Sequence, residues 1–117
     1  RSNMENLLAT TPADQVDKML AGHQATVLAG GHTHVQMLRQ HRGQLIVNVG
    51  SVGMPFKEFV AGGEPTLLAH AEYALVDAER GAVGVQLRRV PLSRAALHRA
   101  AAASDVPLRA MLTQQYA

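Results

Sequence analysis

The sequence predicts an α/β fold. A capped amphipathic helix near the start, a short apolar run between glycines, and two hairpin patterns with glycine at the turn point to it. At 117 residues with 47% hydrophobic content, the chain suffices for one modest domain and is too short for two.

Thr11-Pro12-Ala13-Asp14 reads as a helix start, with Thr11 as cap, Pro12 where its missing N–H costs nothing, and Asp14 completing a capping box. Val16, Met19 and Leu20 then form one apolar face, and Gly22 ends the helix. Ala25-Thr26-Val27-Leu28-Ala29 fits a strand buried on both faces. Val35 to Arg39, the turn His41-Arg42-Gly43 and Gln44 to Val49 predict two adjacent antiparallel strands. Gly50-Ser51-Val52-Gly53-Met54-Pro55 and Ala61-Gly62-Gly63-Glu64-Pro65 make residues 50 to 69 mostly irregular.

A second hairpin is predicted around Glu79-Arg80-Gly81. Alternation over 73–76 and 83–88 gives it one buried and one wet face. Ser93 caps a helix through the Ala-rich stretch to Ala103, and Asp105 and Pro107 announce a last short helix holding Met111 and Leu112.

Composition narrows the function. No apolar run approaches the roughly 20 residues of a bilayer span, and residues 1 to 25 lack the order of a signal peptide, so the expectation is a cytoplasmic protein with no membrane partner. With no cysteine, a metal site must use His, Asp, Glu, Asn or Gln. The pI is 9.5 at a net charge of only +2, with Arg88, Arg89, Arg94, Arg99 and Arg109 giving a loose basic bias. Without a dense basic stripe or more aromatics than Phe56, Phe59, Tyr73 and Tyr116, this weighs against a nucleic-acid partner. Arg1-Ser2-Asn3 before Met4 is either a tag remnant or the interior of a longer protein, and the second is the expectation.

Gly30-Gly31-His32-Thr33-His34 is the most informative segment. Two imidazoles leave a glycine turn at the end of a predicted strand, where open α/β sheets place their sites. Imidazole suits zinc, manganese, iron or nickel, so His32 and His34 are candidate metal ligands, while two exposed loop histidines are the bland alternative. The strand Leu45-Ile46-Val47 feeds a second small-residue loop, Asn48-Val49-Gly50-Ser51-Val52-Gly53, and the hairpin returns it to the same end of the sheet. His23 after a helix end, His41 at a polar turn, His70, and His98 on a surface helix face are read as ordinary histidines. Lys57-Glu58-Phe59 could shape access or be a plain exposed loop.

These motifs resemble the calcineurin-like metallophosphoesterases, in particular the compact bacterial phosphodiesterase branch, whose signature is Gly-His-Thr-His, a hairpin, then Asn-Pro-Gly-Ser-Val-Gly. Here the order is Gly31-His32-Thr33-His34, a hairpin, and Asn48-Val49-Gly50-Ser51-Val52-Gly53, with Val49 in place of proline, which should loosen the turn. The resemblance runs from about Thr11 to the helix after Ser93. It implies the C-terminal portion of a two-sheet β-sandwich flanked by helices, with the late hairpin in the second sheet. It also implies two adjacent divalent ions (Mn, Fe, Zn or Ni), His32 on one and His34 on the other, and a hydroxide bridging them that attacks a phosphomonoester or phosphodiester. Gly31, Thr33, Asn48, Gly50 and Ser51 would support the site. Ser51 as nucleophile lacks a His-Asp pair to activate it.

The family's upstream Asp-x-His, Gly-Asp-x-x-Asp and Gly-Asn-His motifs do not occur in this sequence, and two histidines cannot complete a two-ion site. The expectation is a portion of a phosphoesterase domain, inactive alone. The alternatives are a non-enzymatic binding scaffold derived from the same fold, or an unrelated small α/β domain. Exposed apolar edges would favour homo-oligomerisation.

Overall fold

The computed structural model describes residues 6–116; the Arg1-Ser2-Asn3 start, Met4 and Glu5 lie outside them. The architecture is mixed α/β, with two small sheets and three helices. In chain order the elements are α1 (Ala13–Leu20), β1 (Val27–Gly30), β2 (Met37–His41), β3 (Gln44–Asn48), β4 (His70–Glu79), β5 (Ala82–Pro91), α2 (Arg94–Ala103) and α3 (Arg109–Gln114). Among the described residues no helix is long and apolar enough to cross a membrane.

The helix α1 stands where its periodicity puts it, but no side chain caps it. The Thr11 hydroxyl instead accepts from the Leu8 N–H at 2.9 Å, closing the turn before the helix. Ala21 and Gly22 both turn left-handed after Leu20, and the Ala21 N–H returns to the Asp17 carbonyl. Val16 is fully buried against Met37 and Ile46, with Leu7, Leu20 and Leu28 around them.

The first sheet has the order β1-β3-β2. β1 and β3 are parallel with Gly30 opposite Asn48, and β2 and β3 are antiparallel with Met37 opposite Asn48. Arg42 and Gly43 both have positive φ, 46° and 79°, the two-residue turn that matches strand twist in a tight hairpin. β3 is the central strand, and its Ile46, Val47 and Asn48 are buried. β1 does not meet the expectation of burial on both faces. It is an edge strand, so Val27 and Leu28 are half-buried while Ala29 and Gly30 are exposed.

The second sheet is the β4–β5 ribbon, turning through Arg80 and Gly81 with the same pair of positive φ values, 48° and 84°. The predicted alternation is only partly realised. Ala74, Val83, Val85 and Leu87 are half-buried, yet Tyr73, Leu75 and Val76 are exposed, because two strands alone cannot bury a face along their whole length. The ribbon's one buried side chain is Glu72. Residues 50–69 are mostly irregular as expected, anchored by the fully buried Leu67, which bridges to Phe56 and Tyr116. Ser93 caps α2 through its hydroxyl to the Ala96 N–H at 3.3 Å. His98, expected at the surface, is half-buried and meets Tyr116 edge-on at 5.8 Å.

Candidate metal centre

The His32 and His34 loop leaves the C-terminal end of β1, and the Asn48–Gly53 loop leaves the same end of β3. Parallel pairing of these two strands brings the loops together. Asn48, 4% exposed, ties them. Its Nδ2 donates to the Gly31 carbonyl and to the Thr33 hydroxyl, both at 2.9 Å, and its Oδ1 accepts from the Gly50 N–H at 3.0 Å. Thr33 is buried by this bond, while Gly31 and His32 on either side of the turn are exposed. A further tie comes from Val49. The Val49 N–H donates to the Gly30 carbonyl at 3.2 Å, a bond proline could not make, so the expected loosening of this turn is opposed by an added backbone bond.

His32 and His34 have φ of 82° and 58°, left-handed values that β-carbon-bearing residues rarely adopt. His34 is half-buried beside Phe56, with ring centroids 4.7 Å apart. Its Nδ1 lies 2.9 Å from the Met54 carbonyl, which can only accept, so Nδ1 carries the hydrogen. Nε2 is then the nitrogen left for a ligand, the arrangement typical of metal-binding histidines whose other ring nitrogen is held by a carbonyl. The Phe56 N–H in turn donates to the His34 carbonyl at 2.9 Å. Ser51 takes a positioning role: its hydroxyl accepts from the Met54 N–H at 3.0 Å.

Sequence reading missed Glu72. It is 2% exposed, and its Oε1 accepts from His70 Nε2 at 2.9 Å and faces Arg89 Nε at 3.4 Å, while its Oε2 accepts from the Ser51 N–H at 3.3 Å. An isolated buried carboxylate is costly, and these donors offset that cost. The signal available was register. A two-residue turn at Arg80-Gly81 pairs Glu72 with Arg89. Gln36 braces the same junction, donating to the Tyr73 and Arg88 carbonyls at 3.2 and 3.1 Å and accepting from Arg89 Nε at 3.1 Å.

His41 is the second surprise. Predicted at a polar turn, it is 5% exposed, and its Nε2 donates to Asp17 Oδ1 at 2.8 Å. Arg42 also donates to Asp17, at 2.7 Å from Nη2. The Arg42 bonds first, and His41 second, hold the Asp17 carboxyl well below the usual carboxylate range. This cluster fastens α1 to the hairpin and borders a cleft of about 580 Å³ that also touches His23 and Gln24. That cleft lies at the opposite end of β1 from His32 and His34. A smaller one of about 250 Å³, lined by Leu7, Met19 and Leu28, reaches Gly30, Gly31 and Asn48 behind the histidine loop.

Among the described residues, no group of three or more His, Asp or Glu side chains is gathered to hold a metal ion. No protein-family model matches the chain, and no curated protein matches it significantly.

Proposed function

We propose that the chain is the C-terminal portion of a calcineurin-like metallophosphoesterase domain, in which His32 and His34 each contribute to one of two adjacent divalent ions used in phosphate ester hydrolysis. The observation that carries this reading is the Asn48 side chain. It bridges the Gly-His-Thr-His loop to the Asn-x-Gly-Ser loop, while the Met54 carbonyl fixes Nδ1 of His34 and leaves Nε2 for a ligand. Two loops recognisable as one signature are thus bonded into one structure. Bound there, divalent ions would supply Lewis-acid stabilisation of phosphoryl charge and lower the pKa of water.

This chain's part is to present imidazoles and hold their loop. The carboxylate ligands of such a site would come from a segment bearing the Asp-x-His and Gly-Asp motifs. The remaining strands of a two-sheet sandwich would cover the exposed edge of β1 and the exposed Leu75 and Val76. A radius of gyration of 16.3 Å, against about 13 Å for a compact domain of some 100 residues, supports that reading.

The test is metal content per chain after loading with manganese or zinc, measured for the wild type and for His32→Ala and His34→Ala. Metal bound by the wild type and lost in both variants supports the reading, the ligand set then being completed by a second copy or another segment, and hydrolysis of bis-p-nitrophenyl phosphate next tests the activity. Equal metal in all three proteins would refute His32 and His34 as ligands, whereas none in any would mean a catalytically empty portion or a scaffold and would remove the enzyme reading from this polypeptide.

A further inference from the structure

We infer that Glu72 is a positioning residue for the His34 imidazole, acting from the second sheet through the glycine loop. The role rests on the reading of His34 as a metal ligand, but the geometry is independent of any metal. Glu72 grips Ser51 from both sides: its Oε2 accepts the Ser51 N–H at 3.3 Å, and its own N–H donates to the Ser51 carbonyl at 3.0 Å. The Ser51 hydroxyl then accepts the Met54 N–H at 3.0 Å, and the Met54 carbonyl accepts Nδ1–H of His34 at 2.9 Å. The series runs unbroken from a buried carboxylate on β4 to the ring nitrogen opposite the one a ligand would take.

Two features make Glu72 the fixed end of this series. The carboxylate is held on its far side by His70 Nε2 at 2.9 Å and Arg89 Nε at 3.4 Å. Gly50 also packs so closely on Glu72 that a β-carbon there would lie 2.9 Å from Glu72 Cβ, which leaves the loop little room to slide. A ligand-bearing ring oriented by such fixed partners is held more tightly than one on a free loop. Glutamine at 72 has one oxygen where the carboxylate has two, and because Arg89 beside Oε1 can only donate, that oxygen is drawn to the Arg89 side and leaves the Ser51 N–H facing an NH2 donor.

The experiment reads the His34 tautomer by two-bond ¹H–¹⁵N imidazole spectra at alkaline pH, without metal, in the wild type and in Glu72→Gln, with circular dichroism confirming the fold. In the wild type, His34 is expected as the Nδ1–H form. In Glu72→Gln the ratio of Nδ1–H to Nε2–H is expected to fall at least about fivefold, the factor that corresponds to one ordinary hydrogen bond. An unchanged ratio in a folded variant, or a wild-type His34 that is not Nδ1–H, overturns the inference. Should Glu72→Gln fail to fold, Ser51→Ala cuts the same series nearer the ring and decides on the same criterion. A wild type with the expected tautomer whose bound metal is unchanged by His34→Ala would instead refute the metal reading and leave the positioning geometry standing.

Discussion

Replacing Gly50 by alanine tests the loop most directly. Its φ of +83° lies in the left-handed region, where a side chain costs about 1–2 kcal/mol. The added β-carbon would strike the Glu72 carboxylate, lie 2.7 Å from Gln36 Cγ and lie 2.9 Å from Glu72 Cβ. Neither carbon yields easily, because Gln36 is bonded at both ends of its amide and Glu72 Cβ is fixed to β4, so overpacking adds about 1–3 kcal/mol. The expected destabilisation is therefore about 3 kcal/mol. With a urea m-value of about 2 kcal/mol/M, the unfolding midpoint should fall by about 1.5 M. Gly53 is the internal control: a β-carbon there meets nothing within 4 Å, and its φ is not positive, so Gly53→Ala should stay within about 0.5 kcal/mol of wild type. A Gly50→Ala protein as stable as Gly53→Ala would refute both the backbone and the packing parts of this reasoning.

Asn48→Ala removes three hydrogen bonds from a buried position and leaves the Thr33 hydroxyl without its amide donor, so thermal or urea unfolding should show a loss of about 2–4 kcal/mol. Asp17 is held below its ordinary pKa in the folded state. Its stabilisation is therefore present above about pH 4 and lost as pH falls toward the lower folded value. Urea midpoints taken from neutral to acid pH should consequently drop more steeply for wild type than for Asp17→Asn; parallel curves would rule this out.

Local chemistry made much of the fold legible. Gly43 and Gly81, each bracketed by strand-forming residues, marked two hairpins that the structure contains, and Ser93 marked the start of α2. What could not be read depends on partners distant in sequence. His41 looks like a turn residue until Asp17, 24 positions earlier, is brought against it, and Glu72 looks like a solvated strand residue until the Ser51 loop folds over it. Propensity favoured the Thr11 hydroxyl as a helix cap, whereas it accepts from the Leu8 N–H before the helix. β1 read as a strand buried on both faces because a short run such as Val27-Leu28-Ala29 says nothing of what lies beyond the edge. The two site loops were visible as motifs, whereas the Asn48 bridge between them required the parallel register of β1 on β3.

That register also carries a kinetic consequence. Both hairpins join neighbours across two-residue turns, contacts that close in microseconds, whereas pairing β1 with β3 closes a longer loop that contains β2 and its turn and is expected to form later. The histidine loop is therefore expected to assemble after the two hairpins. In a pulse-labelling refolding experiment, the Val49 amide, bonded to Gly30 across that pairing, should acquire protection later than the amides of β4 and β5. Simultaneous protection would show that the sheet forms in one step. If the order holds, any lesion that slows docking of β1 leaves a population with both hairpins folded and the histidine loop not yet in place.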